Sequence, residues 1–472
     1  MKINSEIILK DFSAFTKTFE KITEQHLITY SFPLENFDVL KVIDQLNEIY
    51  NDFFFFRVPQ NRLTITGLNS ALELVSGESK HFNSVHDQFN YWKKNYSTNW
   101  NGLNFSSIPT ICCTAKFDPS KSSSLWNDFE SLRIYIPEFI ISFQDGQVTG
   151  VFNFILHNKK NIEDISNILI AYLNKIEELT EELFEKANAK IDSPLISVEE
   201  EIKVWRHSFD KASAILNKGD VDKLVLSRMY GFTLDKPISW PILLNKLFQR
   251  FNDCYLFFIK RNGSVFFGSS PEMFLKVTGN TAEVESVAGS APRGEGFETD
   301  HQFERLLQTS EKNHREHLFV SEFISEILIH YSDNVRIIEE KQIRKLDNIQ
   351  HLITKISAEL NSKNKLFDLI DSLYPTPAVC GVPKESALNS IRKLEAHDRG
   401  LYSGLIGLMN FEGECELAVS IRAALVKNNT VMAFAGAGLV KNSNSEEEFF
   451  ETNLKLNTIL SLFSNENKSK QK

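Results

Sequence analysis

The chain has 472 residues, enough for a large core and, on size alone, for two or more domains. Hydrophobic residues make up 42% and charged residues 24%, the balance of a globular protein. With 52 Lys and Arg against 62 Asp and Glu, the net charge of −10 excludes capture of nucleic acid or an anionic membrane by the overall field. An anionic ligand must therefore be held by local cations.

Five cysteines, Cys112, Cys113, Cys254, Cys380 and Cys415, are odd in number and match no zinc spacing. They read as reduced core thiols of a cytoplasmic protein. The N-terminus is charged and has no apolar signal core, and no run of 18 apolar residues predicts a membrane span.

In chain order, strands are expected at 27–32, 52–58 and 63–67. The second contains four consecutive phenylalanines, Phe53 to Phe56, which require cover on both faces. A helix is expected over 84–95, a hairpin over 132–143 and 148–156 around Asp145-Gly146, and a long amphipathic helix over 161–189. Residues 191–194, IDSP, read as a linker between an N-terminal part (1–190) and a second region (195–465). A helix over 198–216 then leads through an Asn-Lys-Gly-Asp turn into a strand over 221–230. Further on, hairpins are expected at 255–260/264–268 and 274–278/281–287, and a single long helix over 303–330. After a helix at 386–395, strands at 405–410, 416–426 and 430–435 precede a closing helix over 445–463 and a disordered tail, 466–472.

Several positions along this path could carry chemistry. Lys223 opens an otherwise apolar strand. A lysine there is ordinarily solvated; the alternative is a partly desolvated base with a lowered pKa. Glu272 follows a proline directly after a hairpin strand, either as a surface turn residue or as a general acid kept protonated by an apolar surround. Gly289 and Ser290 lie in VAGSAPRG, which reads as a connector or as a loop offering backbone N–H groups to an anion. Glu316 lies on the long helix, and Glu448 and Glu451 share one face of the last helix. Solvated acids are the ordinary account of such residues; converging from two helices, they would need a hard cation such as Mg²⁺. Arg422, inside ELAVSIRAALV, calls for a buried partner: a structural carboxylate or a bound one. Gly436 and Gly438 follow a strand and allow close approach of backbone to a ligand.

In this order and spacing, the segments KLVLSR, FFGSSPEMF, ESVAGSAPRG, EKNHREH, YPTPAVCG, GLYSGLIG, AVSIRAA, AGAGLVKNS and EEEFFETNLK resemble the chorismate-utilising enzymes. The resemblance covers about 198–460; the N-terminal part is similar only loosely. It implies an α/β (α+β) fold in which two mixed β-sheets pack together with helices outside and the active site between them. It further implies that Lys223 is the general base that activates water and Glu272 the general acid for the departing hydroxyl. Glu316, Glu448 and Glu451 would hold Mg²⁺, Gly289 and Ser290 the ring carboxylate of chorismate, and Arg422 and Tyr402 the enolpyruvyl carboxylate. Gly436 and Gly438 would give backbone contacts, and Lys455 would neutralise charge near the metal.

Branch-specific positions narrow the expectation. Family members that use ammonia resemble one another in a glutamine where Lys223 stands, and aminodeoxychorismate synthases carry a lysine where this chain has Ala288. The resemblance therefore implies water as nucleophile, no glutamine amidotransferase subunit, and isochorismate synthase of the menaquinone type. A salicylate synthase and a silent chorismate-binding homologue are the alternatives, and the pathway served, menaquinone or siderophore, stays open. The chain departs from the family at Tyr374, where a histidine is usual, and at Met273, where arginine is common.

Overall fold

The computed structural model describes residues 4–19, 24–35, 38–76, 81–99, 110–156, 162–181, 189–362 and 365–464. The tail expected at 466–472 lies outside them.

Two sheets form the frame, as the α+β expectation requires. The larger has thirteen strands. Its main path runs Ile191–Pro194, Lys223–Leu234, Thr430–Val440, Ala423–Lys427, Ser264–Ser270, Tyr255–Arg261, Asp52–Arg57, Leu63–Leu68, Phe139–Gln144, Gln147–Leu156, His26–Leu34 and Tyr96–Thr98. It is antiparallel except where His26–Leu34 lies parallel to Tyr96–Thr98. The smaller has nine: Ser332–Lys345, Ile349–Leu360, Thr281–Pro292, Met273–Thr278, Cys415–Val419, Leu405–Met409, Ile111–Ala115, Leu132–Ile136 and Leu72–Leu74. Both sheets pass without interruption from C-terminal strands to N-terminal ones.

The phenylalanine run shows how the layers stack. All four rings are fully buried. Strand alternation sends Phe54 and Phe56 into the layer between the sheets, with Tyr135, Met273, Ile406 and Leu408. Phe53 and Phe55 point the other way, into a core shared with the helices Val39–Ile49 and Trp240–Arg250. A third core lies outside the smaller sheet, with Val320, Ile324, Leu328, Leu369 and Ile370 from helices. Four large apolar rings in a row are thus accommodated because both faces of their strand are covered.

The structure departs from the sequence expectations at several points. The linker at 191–194 is a short strand paired with the far end of Lys223–Leu234. The single helix over 303–330 is two, Phe297–Thr309 and Glu311–Tyr331; Ser310 takes an extended conformation between them and caps the second through the Asn313 amide at 3.2 Å. The strand over 416–426 is also two, Cys415–Val419 in the smaller sheet and Ala423–Lys427 in the larger. The hairpin Ser332–Lys345/Ile349–Leu360 is an addition: its outer strand is charged and largely exposed, as suits a sheet edge, and lacks apolar alternation. Within the expected long helix at 161–189 the structure gives Ile162–Glu178, and 182–188 lie outside the described residues. All five cysteines are buried free thiols. No helix among the described residues is long and apolar enough to cross a membrane.

Candidate active site

The chain passes between the sheets repeatedly, and a candidate residue sits at each of two such steps. Strand Ser264–Ser270 belongs to the larger sheet and Met273–Thr278 to the smaller, so Pro271 and Glu272 form the step between them. Ser420, Ile421 and Arg422 make the return step from Cys415–Val419 to Ala423–Lys427. Arg422 has a positive φ of 52°, which an unbroken strand would not allow. Ser270 Oγ donates to the Val419 carbonyl at 2.5 Å, and the Glu272 carbonyl accepts from the Val419 amide at 3.2 Å. The two steps are thereby tied together.

They open onto a cleft between the sheets. Every expected site residue lines it except Glu448: Lys223, Glu272, Gly289, Ser290, Glu316, Tyr402, Arg422, Gly436, Gly438, Glu451 and Lys455. Glu448 is buried just outside and paired with Lys312. Ala288 lies on the wall.

Lys223 is only 2% exposed, so the solvated-strand-end account is set aside. Its strand is flanked on both sides, by Thr430–Val440 and by Gly381–Val382. Burial holds its ammonium below the usual lysine range, against the pull of Glu316, Glu272 and Glu451. Glu272, 3% exposed, moves the other way: burial, with Glu285 adding to it, pushes its carboxyl up to about 8. One cleft thus contains a lysine inclined to lose its proton and a carboxyl inclined to keep one. Gly438 makes room for the first. A Cβ on it would come within 2.9 Å of Glu316 Oε2 and 3.1 Å of Lys223 Cε.

The segment VAGSAPRG is not a free loop. It belongs to strand Thr281–Pro292, bulged between Val287 and Ser290, with Gly289 at φ 83°. Two histidines that the sequence reading did not single out brace this bulge. His317, pushed down to about 4 by burial, stands 3.2 Å by Nδ1 from the Ala288 carbonyl. His351 links two expected anion binders: its Nε2 lies 2.9 Å from an Arg422 nitrogen and its Nδ1 3.0 Å from Ser290 Oγ. A guanidinium only donates, so Nε2 accepts and the proton is on Nδ1. The only sequence signal was a histidine within an apolar strand, IQHLITKI.

Arg422 is 4% exposed, bonds to His351 and Thr458, and makes no ion pair among the described residues. Of its two accounts, the structural ion pair is therefore not found, and a buried cation with neutral partners faces the cleft. Tyr402 stacks on Phe434, with centroids 5.3 Å apart, and burial pushes its phenol up to about 12, so it stays a donor. Lys455 spans Glu451 at 2.6 Å and the Gly436 carbonyl at 2.7 Å.

The acidic set is oxygen-only, with Glu316 and Glu448 buried and Glu451 half-buried. Burial and the neighbouring carboxylates push Glu316 up to about 7 and raise Glu448, whereas Lys455 holds Glu451 low despite burial. Mutual repulsion of this kind suits a hard divalent cation. As placed, the carboxylates face Lys223, Lys312 and Lys455, and no three His, Cys, Asp or Glu groups among the described residues converge on one point.

Tyr374 is not in the cleft. Its hydroxyl donates to the Lys116 carbonyl at 2.9 Å and its ring meets Phe274 edge-on. The departure from the family pattern therefore falls on a side chain that does not line the cleft.

The profile of the chorismate binding enzyme family matches residues 13–464. The chain belongs to that family, and it is an enzyme. It is 29% identical over 456 residues to isochorismate synthase MenF of Bacillus subtilis, covering 95% of each chain. It is 31% identical over 334 residues to isochorismate synthase MenF of Haemophilus influenzae, covering 70% of this chain and 75% of that one. Its fold is similar to that of MenF, the menaquinone-specific isochorismate synthase of Escherichia coli. The TM-score there is 0.76 at 20% identity, over 96% of this chain and all of the other.

Proposed function

We propose that the protein is an isochorismate synthase, which adds water at C2 of chorismate as the C4 hydroxyl leaves. The observation that carries this is the opposed pair in one cleft, Lys223 with its proton affinity lowered and Glu272 with its raised to about 8. Lys223 takes a proton from the attacking water, and Glu272 gives its proton to the departing oxygen. Arg422 and Tyr402 hold the enolpyruvyl carboxylate, while the Gly289–Ser290 bulge, braced by His351, receives the ring carboxylate. Gly436 and Gly438 supply backbone contacts. The residues that would hold Mg²⁺ are Glu316, Glu448 and Glu451, turning from their lysine partners, with Lys455 offsetting charge beside them. A bound Mg²⁺ would supply electrostatic stabilisation of the ring carboxylate.

Ala288 places no amine at the cleft wall, and Lys223 favours water over ammonia, so no amidotransferase partner is required. Likeness to the Bacillus subtilis MenF along nearly the full chain supports menaquinone biosynthesis as the destination, and the five buried free thiols suit the cytoplasm as the location.

Chromatography of the products from chorismate and Mg²⁺, with a coupled pyruvate assay, tests the reading. The expected result is a reversible mixture of chorismate and isochorismate. Stoichiometric pyruvate with salicylate would assign a lyase instead, and anthranilate or aminodeoxychorismate formed with ammonium would refute the reading of Lys223 and Ala288.

A further inference from the structure

The turn that carries Glu272 is gripped from behind. Arg344, near the end of strand Ser332–Lys345, donates to the Pro271 carbonyl at 2.6 Å. The same guanidinium makes a two-pronged ion pair with Glu285 at 2.8 and 2.7 Å. Glu285 in turn accepts from the Met273 amide at 3.4 Å. The backbone is thus held on each side of Glu272, by a donor before it and an acceptor after it. Neither Glu285 nor Arg344 lines the substrate cleft. Both line a second cleft on the far side of the turn, and Pro271 lines both.

We propose that Glu285 and Arg344 are a positioning pair for Glu272, fixing the Pro271–Met273 turn so that its carboxyl faces the substrate cleft. The inference rests on the reading of Glu272 as the proton donor. Half-buried ion pairs add little net stability over apolar packing, so fold stability alone is a weak reason for this one. Its geometry is directed: the side-chain hydrogen bonds outside the pair go to backbone atoms adjoining Glu272.

The pair also places one charge of each sign behind the acid. The charged groups that act on Glu272 include Glu285 and Arg344 from the smaller sheet, Lys223 from the larger, Lys455 from the last helix, and Arg422 from the return step. Of these, Glu285 favours the protonated carboxyl, and Arg344 disfavours it. The other three belong to the substrate cleft. Changing the positioning pair therefore alters the acid without touching the binding groups.

The test compares Glu285→Gln, Arg344→Gln and Glu272→Gln in the full chain. Two readouts are taken: the pH profile of kcat/KM with chorismate, and the titration of the Glu272 carboxyl by infrared difference spectroscopy, assigned by its loss in Glu272→Gln. Removing the anion should move the alkaline limb down by about one pH unit, and removing the cation should move it up by a similar amount. In both, kcat should fall about tenfold while KM stays within about threefold, because the acid is displaced and the binding groups are not. A merely structural pair would not shift the limb in opposite directions. Unshifted profiles, or shifts of the same sign in both variants, would overturn the proposal. If Arg344→Gln does not fold, Glu285→Gln decides alone by the presence or absence of its downward shift. Near-normal turnover in Glu272→Gln would instead remove the reading of Glu272 itself, whereas an inactive Glu272→Gln beside two unshifted variants would remove only the positioning pair.

Discussion

The Val419 amide donates to the Glu272 carbonyl at 3.2 Å, tying together two of the steps by which the chain passes between sheets. Glu272 lies on the outward step and Arg422 on the return, so this bond fixes a carboxyl and a guanidinium across one cleft. Pre-set geometry of this kind is worth more to catalysis than either group alone. The consequences can be measured.

Lys223→Ala should fold and bind chorismate but turn it over about 10²–10⁴ times more slowly, the usual effect of removing a general base. Steady-state kinetics with an equilibrium binding assay separates the two effects. Near-normal kcat would end the assignment of Lys223.

The raised carboxyl of Glu272 predicts a pH effect on both rate and stability. Its folded value is about 8 against an unfolded value of 4.5, so the folded state holds the proton more tightly. The associated stability is fully present below about 4.5 and is lost as the pH rises through about 8. Above that, folding buries a carboxylate, and Glu272→Gln should raise the melting temperature at pH 9 while doing little at pH 4. The rate should show an alkaline limb near 8, absent from the residual activity of Glu272→Gln. Melting curves and kcat/KM profiles at matched pH check the sign; a melting temperature lowered by the substitution at pH 9 would contradict it.

Glu316→Gln and Glu451→Gln should each raise the Mg²⁺ concentration needed for half-maximal activity, since a neutral amide is a poorer ligand for a hard dication. Calorimetric titration with Mg²⁺ gives a readout independent of turnover. Unchanged Mg²⁺ affinity in both variants would mean that any cation binds elsewhere.

Much of the fold was legible because its signals are local. Turns such as Asp145-Gly146 and Asn262-Gly263 marked hairpins that the structure contains. The sheet switch at Arg422 was not legible: in ELAVSIRAALV apolar residues flank Ser420 and Arg422 on both sides, so a step between two buried sheets leaves no clear break in composition. The edge strand Ser332–Lys345 escaped for the opposite reason, since a charged edge lacks alternation. Among the site residues, the positions matched by segment meet on the cleft, with Glu448 just outside it. His317, His351, Glu285 and Arg344 went unnoticed as supports because their partners are distant in sequence: His351 meets Arg422 and Ser290, and Arg344 meets Pro271.

Tyr374 gives a last prediction, because the sequence and the structure differ on what it does. Where family members usually carry histidine, a loss of proton-transfer capacity would be expected if the side chain met the substrate. Here it lies behind the cleft wall, its hydroxyl on the Lys116 carbonyl and its ring against Phe274. Tyr374→Phe should therefore cost about 1 kcal/mol of stability, the net value of a buried neutral hydrogen bond, and leave kcat within about twofold. Tyr374→His should not raise the rate, since the imidazole would take up the same buried position. Chemical denaturation alongside steady-state kinetics measures both effects. A large fall in kcat for Tyr374→Phe at unchanged stability would instead place this side chain in the reaction.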